Sequence, residues 1–351
     1  MTARRIHHFT ATLSPRDAVG AHTLAVDDLL RDLGHDVTLF AASVSPELKA
    51  RARDYRDQPD VPPPDVLIYQ ASTGSPVADL LLERTEPLIL NYHNLTPAEH
   101  FDPWEPHIGA ELDAGRRELV RLSRRAHCGV AVSHYNAGEL VELGLDDVRV
   151  APVMFDPPAA TPRREGADRG PTILFVGRLA PNKAQHDLIA AIALLRTRRP
   201  DARLVLVGAA SSGRYETALR TLASEMCPGG VDMLGSVPHS ELVEWYGRAD
   251  VFLCLSEHEG FCVPVLEAMG AGLPVVAYAA AAVPETVGDA AVVIDDKRPT
   301  AVVAALERVF DDADLRTYLA AAGRHRAADF GPDASRARNR EVFAAILEAL
   351  P

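Results

Sequence analysis

Hydrophobic positions in this chain occur in two patterns that alternate from one end to the other. Short continuous apolar runs are typical of strands buried in a parallel sheet, and longer stretches with apolar residues three and four apart are typical of helices that cover such a sheet. In the first half, residues 21–33 follow the helical spacing, and Gly34 ends that pattern. Strands are predicted in this half at 6–13, 37–41, 66–69, 88–92 and 128–132.

The same alternation restarts after residues 156–170, which are rich in proline, glycine and charge and are predicted to be a linker. Strand–helix alternation predicts parallel sheets, and 351 residues exceed what one hydrophobic core usually spans. We therefore expect an α/β protein with two doubly wound, Rossmann-like parallel-sheet domains, at 1–155 and 171–332. In the second domain, strands are predicted at 172–176, 203–207, 251–255 and 274–277, with helices that begin near Gln185, Tyr215, Ser240, Pro264 and Pro299.

Composition and charge narrow the class of protein. The net charge of −13 argues against nucleic acid as a partner. No apolar run reaches 18 residues, and the first residues lack a long apolar region and a cleavage pattern, so we expect neither a membrane span nor a signal peptide. The four cysteines show no paired-ligand spacing and no disulfide density, which is consistent with a reducing cytoplasm. No histidine spacing predicts a metal site.

The most informative string covers residues 256–269, Ser-Glu-His-Glu-Gly-Phe-Cys-Val-Pro-Val-Leu-Glu-Ala-Met. It places Glu259 in the turn after an apolar strand and Glu267 in the first turns of a helix. Amides that precede a helix lack intrahelical partners and can donate hydrogen bonds. Here these are the amides of Gly260, Phe261 and Cys262. Such a turn suits a polyhydroxylated, anionic ligand, and the alternative is an ordinary acidic helix N-terminus.

A second motif follows the predicted strand 172–176. Gly177 allows a sharp turn, and Arg178 and Lys183 then stand five residues apart before a helix. Two cations in this position can neutralise a diphosphate, the arginine as a planar fork and the lysine as a point charge. The alternative is a solvated basic pair. Gly208, after the strand 203–207, and Val237, in the turn 234–238, are weaker candidates, because a glycine after a strand is usually only a turn.

Together these motifs resemble those of retaining, nucleotide-sugar-dependent glycosyltransferases of family 4 (glycosyl transferases group 1), which have the GT-B fold with two domains facing a central cleft. The resemblance implies that Arg178 and Lys183 hold the donor phosphates and that Glu267 holds the ribose hydroxyls. It implies that Glu259 and the amides after it hold the hexose. Gly208 would lie at the nucleotide, and the turn that contains Val237 would hold the base through main-chain atoms.

The first half departs more from the pattern of this family. Many relatives carry a glycine pair after the first strand, where this chain has Gly20 alone, at the predicted start of a helix. Its amide could still approach phosphate. His93 follows the apolar strand 88–92, in the position of a histidine that faces the donor sugar in related enzymes. By analogy, the C-terminal helix at 333–351 crosses back onto the first domain.

The resemblance implies a cytoplasmic, metal-independent transferase without a cofactor, in which His93, Arg178, Lys183 and Glu259 are the catalytic candidates. It would move a hexose from a UDP- or GDP-sugar to the hydroxyl of a polysaccharide, lipid-linked or small-molecule acceptor and form an α-glycosidic bond. Two alternatives stay open, a nucleotide-sugar epimerase and a non-catalytic nucleotide-sugar-binding or nicotinamide-binding module. The Gly-x-Gly-x-x-Gly string of dinucleotide folds is missing after the first strand. A basic helical face could give peripheral contact with an anionic lipid surface, and it comprises Arg117, Arg121 and Arg124.

Overall fold

The computed structural model describes residues 2–14, 17–155 and 170–350, and the chain divides into two compact units. The first unit comprises Met1–Ala98, His107–Asp156 and Phe330–Pro351, and the second comprises Glu99–Pro106 and Pro157–Asp329. The linker predicted at 156–170 lies outside the described residues up to position 169.

The first unit is built on a seven-stranded sheet in the order β3-β2-β1-β4-β5-β6-β7, in which every neighbouring pair is parallel. The strands β4 and β5 are buried along their whole length, which is why they consist almost entirely of apolar residues. The seven strands are β1 (Arg5–Leu13), β2 (Asp36–Val44), β3 (Arg53–Asp54), β4 (Val66–Ala71), β5 (Leu88–Tyr92), β6 (Cys128–Ala131) and β7 (Val148–Val150).

Helices cover this sheet and contribute to two apolar clusters. One cluster joins α1 to β1, and the other joins α2 and α3 to β4 and β5. The helices in this part of the chain are α1 (Ala18–Asp32), α2 (Pro76–Leu82), α3 (Pro106–Arg125) and α4 (His134–Glu142). Short 3₁₀ turns lie at Pro46–Leu48, Tyr55–Asp60 and Ala98–His100.

The second unit contains a six-stranded parallel sheet in the order β10-β9-β8-β11-β12-β13. The strands are β8 (Thr172–Val176), β9 (Arg203–Val207), β10 (Val231–Gly235), β11 (Val251–Cys254), β12 (Val275–Tyr278) and β13 (Val292–Ile294). The helices are α5 (Gln185–Arg196), α6 (Gly213–Met226), α7 (His239–Arg248), α8 (Val263–Gly270), α9 (Val283–Val287), α10 (Pro299–Asp311) and α11 (Ala313–Asp329). Two 3₁₀ turns lie at Pro181–Lys183 and Gly288–Ala290.

The last helix, α12 (Pro332–Ala349), belongs to the first unit. Its apolar residues Val342, Phe343 and Ile346 pack in the same cluster as Ile6 of β1. The Asn339 amide also donates a hydrogen bond of 2.8 Å to the Pro152 carbonyl. Apolar burial and this hydrogen bond therefore hold the C-terminal helix against the sheet formed by the N-terminal half.

The segment Glu99–Pro106 belongs to the second unit, whereas the sequence pattern assigned all of 1–155 to the first. Trp104 meets the ring of Tyr215 edge-on, with 4.9 Å between the ring centroids. His100 Nδ1 lies 3.2 Å from the carboxylate of Glu257. These contacts join residues more than 100 positions apart, so local sequence spacing contained no indication of them.

Both sheets have a topological switch point, a pair of neighbouring strands from which the later strands are added in opposite directions. It lies between β1 and β4 in the first unit and between β8 and β11 in the second. Crevices at the carboxyl ends of strands beside such a point are the usual ligand sites of open α/β sheets. The predicted fold class, two Rossmann-like parallel-sheet units, is confirmed. In the described part of the chain, no helix combines the length and apolar character that crossing a bilayer requires.

Candidate functional site

The turn after β8 is shaped by backbone that few residues adopt. Gly177 has φ 153°, and Ala184, directly before α5, is a buried non-glycine residue with φ 50°. The Gln185 side chain donates a hydrogen bond of 2.8 Å to the Arg178 carbonyl and so fixes the turn from the helix side. The Arg178 side chain is exposed and makes no hydrogen bond or ion pair with any described residue. It is therefore available to an anion.

The turn after β11 leads into α8. Cys262 precedes the helix with φ 65°, a left-handed conformation that is strained for a side chain of this kind. The Phe261 carbonyl accepts a hydrogen bond of 2.5 Å from the Thr286 hydroxyl. The side chains of Phe261 and Cys262 are buried, whereas Glu259 remains partly exposed. A ligand at this turn would thus meet the Glu259 carboxylate and main-chain groups.

Lys183 and Glu259 join the two turns. Lys183 Nζ lies 2.6 Å from Glu259 Oε2, and the exposed fractions of the two side chains are only 16% and 12%. The ion pair bridges the carboxyl ends of β8 and β11, on either side of the switch point. The sequence assigned Lys183 to phosphate and Glu259 to a sugar, and in the structure the two groups also neutralise each other. A ligand that carries both a phosphate and sugar hydroxyls can bind to this ion pair or replace it.

Asn182 holds the same two turns together through neutral hydrogen bonds. Its carbonyl accepts from the Glu257 amide at 2.8 Å, and its side-chain amide donates to the His258 carbonyl at 3.3 Å. Asn182 is buried, and sequence spacing did not identify it as a site residue. The adjacent lysine drew attention to the loop, but the role of Asn182 depends on contacts 75 residues away.

Glu267 is bonded to a different element. It is the fifth residue of α8, and its carboxylate accepts a hydrogen bond of 2.7 Å from the Tyr246 hydroxyl of α7. Burial raises the pKa of the Glu267 carboxyl, and burial together with Glu267 raises the pKa of Tyr246 well above its usual value. The sequence did not indicate Tyr246 as a positioning residue. The two predicted carboxylates therefore have different partners. Glu259, predicted to hold the sugar, pairs with Lys183, whereas Glu267, predicted to hold the ribose, is hydrogen-bonded to Tyr246.

Gly208 is required by a close approach of two backbone segments. A Cβ at this position would lie 2.1 Å from the Gly177 carbonyl oxygen, and Gly208 has φ 143°. Its amide donates to the Gly235 carbonyl at 2.8 Å. Val237 follows two residues later and is half-buried. The carboxyl ends of β8, β9 and β10 are thereby tied to one another, so this glycine does more than end a strand.

In the first unit, Gly20 is the third residue of α1, which begins three residues earlier than the sequence pattern predicted. The Asp17 carboxylate caps this helix by accepting from the Val19 amide at 3.0 Å. A Cβ at Gly20 would lie 2.2 Å from the Ser14 carbonyl oxygen, so glycine is required by packing at the end of β1. The Gly20 amide lies in the first turn, where amides have no intrahelical acceptor.

His93 directly follows β5. Its carbonyl accepts a hydrogen bond of 2.6 Å from the Asn136 amide, and its ring lies 6.0 Å from that of His22. His22 is fully buried, and burial lowers its pKa to about 3. The Asn136 side chain thus fixes the main chain at the end of β5, where His93 stands. Gly20 and His93 belong to one unit, and the other predicted site residues belong to the second.

The structure also brings together three groups that can ligate a metal ion. These are the thiols of Cys254 and Cys262 and the carboxylate of Glu259, whose ligand atoms all lie within 4.8 Å of one another. The two sulfurs are 3.9 Å apart, and their hydrogen bond lowers the pKa of Cys254 and raises that of Cys262. Sequence spacing gave no sign of this cluster because its members lie at the end of a strand, in a turn and before a helix.

Part of the chain is similar in sequence to known glycosyltransferases. Residues 160–326 match the family model described as glycosyl transferases group 1. A GDP-mannose-dependent monoacylated alpha-(1-6)-phosphatidylinositol monomannoside mannosyltransferase of Corynebacterium glutamicum is 33% identical over 52% of this chain and 49% of its own length. A D-inositol 3-phosphate glycosyltransferase of Thermobispora bispora is 33% identical over 55% of this chain and 47% of its own length. The matched part thus spans about half the length of these relatives.

A likeness in fold extends over almost the whole chain. The structure of sucrose-phosphate synthase from Thermosynechococcus elongatus covers 99% of this chain and 100% of its own, with a TM-score of 0.78 and 17% sequence identity. At this level of identity the likeness concerns the fold alone. It confirms the predicted GT-B class for a chain with two Rossmann-like units.

Proposed function

We propose that this chain, whose residues 160–326 match the family model described as glycosyl transferases group 1, is a retaining glycosyltransferase of family 4 that transfers a hexosyl group from a nucleoside-diphosphate sugar to an acceptor hydroxyl. The observation that carries this proposal is the ion pair of Lys183 and Glu259 at the switch point of the second sheet. It puts a cation suited to phosphate beside a carboxylate suited to sugar hydroxyls, which is the pairing that a nucleotide sugar needs.

The donor diphosphate binds Arg178 and Lys183 in this proposal. Negative charge develops on the diphosphate as the bond from the anomeric carbon to the phosphate oxygen breaks. Preorganised cations and amides aimed at that charge stabilise the transition state more than the ground state. Arg178 is exposed and Lys183 is held in place by Glu259, so one cation is adaptable and the other is fixed. The amide of Gly20 is the candidate third donor.

The two carboxylates bind different parts of the donor. Glu267, oriented by Tyr246, accepts from the ribose hydroxyls, and Glu259 accepts from the hexose hydroxyls. The main chain of Gly260, Phe261 and Cys262 donates to hexose oxygens, and the turns at Gly208 and Val237 contact the nucleotide. This assignment is the one that the family resemblance implies, and the turns concerned follow the neighbouring strands β8, β9, β10 and β11.

The acceptor hydroxyl attacks from the face that the leaving group vacates. The bond to the acceptor oxygen forms as the bond to phosphate breaks, and a phosphate oxygen takes the acceptor proton. The α configuration of the donor is thereby kept in the product. His93 is the candidate that the family resemblance assigns to the sugar, where its imidazole would stabilise the positive charge that develops at the ring.

The relatives suggest which substrates to try first. GDP-mannose is the first donor, because the C. glutamicum relative is named for it. The proposed acceptor is an inositol carrying a phosphate or phospholipid group, because both relatives are named for inositol compounds. Membrane contact is at most peripheral: on the exposed arginine face of α3, Arg121 lies 3.2 Å from Asp79, which reduces its net charge.

The test is a donor and acceptor panel. GDP-mannose and UDP-hexoses are each incubated with D-inositol 3-phosphate or without acceptor, and released nucleoside diphosphate and the anomeric configuration of the product are measured. Acceptor-dependent release with an α-linked product is expected. Conversion of the donor into its epimer without acceptor would favour the epimerase, and thermal stabilisation by a donor without release would favour a binding module. An inverted, β-linked product would overturn the retaining assignment.

A further inference from the structure

We propose that Cys254, Cys262 and Glu259 form a binding site for a thiophilic divalent cation such as Zn²⁺. None of the proposed steps of glycosyl transfer uses this cation. The site is proposed from the three side chains that the fold brings together, two thiols and one carboxylate. Thiolate, imidazole and carboxylate are the ligands that zinc takes in proteins, usually in tetrahedral arrangement.

The separation of the sulfurs fits such an ion. With Zn–S bonds of about 2.3 Å and a tetrahedral angle, two thiolates on one zinc ion lie roughly 3.8 Å apart. The observed separation of Cys254 Sγ and Cys262 Sγ is 3.9 Å. All ligand atoms of the cluster lie within 4.8 Å of one another, so a single ion can reach them with small side-chain movements.

The local fold explains why these residues meet. Cys254 is the last residue of β11, and Cys262 directly precedes α8, so the turn 255–261 brings the chain back beside the strand end. The left-handed conformation of Cys262 belongs to this return. Both thiols are buried, whereas Glu259 is partly exposed. An ion would therefore enter past the carboxylate and bind the thiols at the inner end.

Lys183 does not block the site. The ion pair uses Oε2 of Glu259, which leaves the second carboxylate oxygen for a metal ion. The lysine charge opposes the ion but does not displace it, because two thiolates and a carboxylate supply three negative charges. Glu259 is also the residue proposed to hold the hexose. If that proposed function is right, cation and donor compete for one carboxylate, and the cation inhibits transfer.

The experiment uses the full chain, reduced and stripped with a chelator, and titrated with Co²⁺ and then Zn²⁺. Cobalt bound by thiolates gives a charge-transfer absorption that zinc abolishes on displacement. We expect about one ion per chain by equilibrium dialysis. Cys254→Ser and Cys262→Ser should lose the absorption, and Glu259→Gln should weaken zinc binding at least about tenfold, equivalent to ~1.4 kcal/mol.

Two other buried cysteines provide matched controls, since Cys128→Ser and Cys227→Ser should bind as the unmodified chain does. Circular dichroism of each variant in chelator checks folding, and Glu259→Gln tests the site with both thiols retained. Absence of thiolate absorption in the unmodified chain, or its persistence in Cys254→Ser, would overturn the proposal.

A nucleotide sugar that binds is then added to the cobalt form. Loss of absorption is expected if the sites share Glu259. An unchanged spectrum with bound donor would reject the competition while the metal site stands. Failure of every donor to bind a metal-free chain that still takes up cobalt would instead count against the proposed transferase.

Discussion

Lys183 Nζ contacts Glu259 Oε2 at 2.6 Å, although the two residues lie 76 positions apart in the chain. The pair links the turns after β8 and β11, and most of both side chains is buried. Truncation of either residue leaves the other as a poorly solvated charge. The effects of the two substitutions on stability and on activity must therefore be measured separately.

Arg178→Ala and Lys183→Ala should each lower kcat/KM by roughly 30- to 900-fold, or about 2–4 kcal/mol, because each removes a cation from the leaving diphosphate. Steady-state kinetics with the donor found in the panel measures this effect. Arg178→Ala should leave the melting temperature unchanged, because its side chain has no partner among the described residues. Arg198→Ala is the matched control, since Arg198 is exposed after α5 and pairs with Glu307. Normal turnover in Arg178→Ala and Lys183→Ala would place the diphosphate elsewhere.

Glu259 and Glu267 should separate in binding experiments. Glu267→Ala should weaken the binding of nucleoside diphosphate by ~1.5–3 kcal/mol, because a charged hydrogen bond to the ribose is lost. Glu259→Ala should reduce turnover without weakening the binding of nucleoside diphosphate, because removal of the Glu259 carboxylate frees Lys183 for phosphate. Titration calorimetry with the nucleoside diphosphate measures both. Equal losses of affinity would reject this division of roles.

Tyr246→Phe is the companion substitution to Glu267→Ala. It removes one hydroxyl and keeps the carboxylate. Because the Glu267 carboxylate remains, Tyr246→Phe should weaken the binding of nucleoside diphosphate less than Glu267→Ala does. A full loss of affinity in Tyr246→Phe would show that the tyrosine itself contacts the nucleotide.

His93→Ala should lower turnover at least about tenfold, or ~1.4 kcal/mol, with donor affinity little changed. The reason is that its imidazole is expected to act on the sugar ring while its carbonyl stays bonded to Asn136. Comparison of kcat with the dissociation constant of the donor measures this separation. His127→Ala, at an exposed histidine before β6, is the control. A mild effect in His93→Ala would remove the imidazole from the mechanism.

Gly208→Ala should destabilise the second unit by about 1–3 kcal/mol, because the new methyl group would meet the Gly177 carbonyl at 2.1 Å. The positive φ of Gly208 adds strain for any side chain. Gly213→Ala is the matched control, since a Cβ at that position has no neighbour within 4 Å. Urea unfolding measures the difference. Equal stability of the two variants would mean that the turns after β8 and β9 yield easily.

Stability should fall as the pH is lowered from about 6.5 towards 4. Burial lowers the pKa of His8 to about 4 and that of His22 to about 3, so the folded chain keeps both neutral. The unfolded chain binds protons at these histidines below its pKa of about 6.5, which favours unfolding. As the pH is lowered from 7.5 to 5, each of the two histidines should lower the free energy of unfolding by about 2 kcal/mol.

His22→Asn tests this effect, since asparagine can still accept the hydrogen bond from the Met154 amide and does not titrate. Its loss of stability between pH 7.5 and pH 5 should be smaller by about 2 kcal/mol. A loss as large as that of the unmodified chain would assign the acid sensitivity to other groups.

The strands at the centre of each sheet were predictable from the sequence. The runs 88–92, 172–176 and 203–207 have the bounds that the structure shows. Central parallel strands are buried on both faces, so they read as continuous apolar runs. The short strands β3, β7, β10 and β13 were not predicted, because none is a buried apolar run: β3 is charged, β7 and β10 mix polar with apolar residues, and β13 has only three residues and is partly exposed.

The sequence by itself also determined the candidate chemistry, because Arg178, Lys183, Glu259 and Glu267 stand in turns and helix starts that their own neighbours define. Tertiary structure alone decided what these groups touch. The Lys183–Glu259 ion pair depends on β8 and β11 being neighbours in the sheet, and the Tyr246–Glu267 hydrogen bond depends on how α7 and α8 pack. The adjacent thiols of Cys254 and Cys262 depend on how one turn folds back. Periodicity reports the face on which a residue lies within its own element. Contacts between turns depend on which strands become neighbours, and that is settled by packing of the whole sheet.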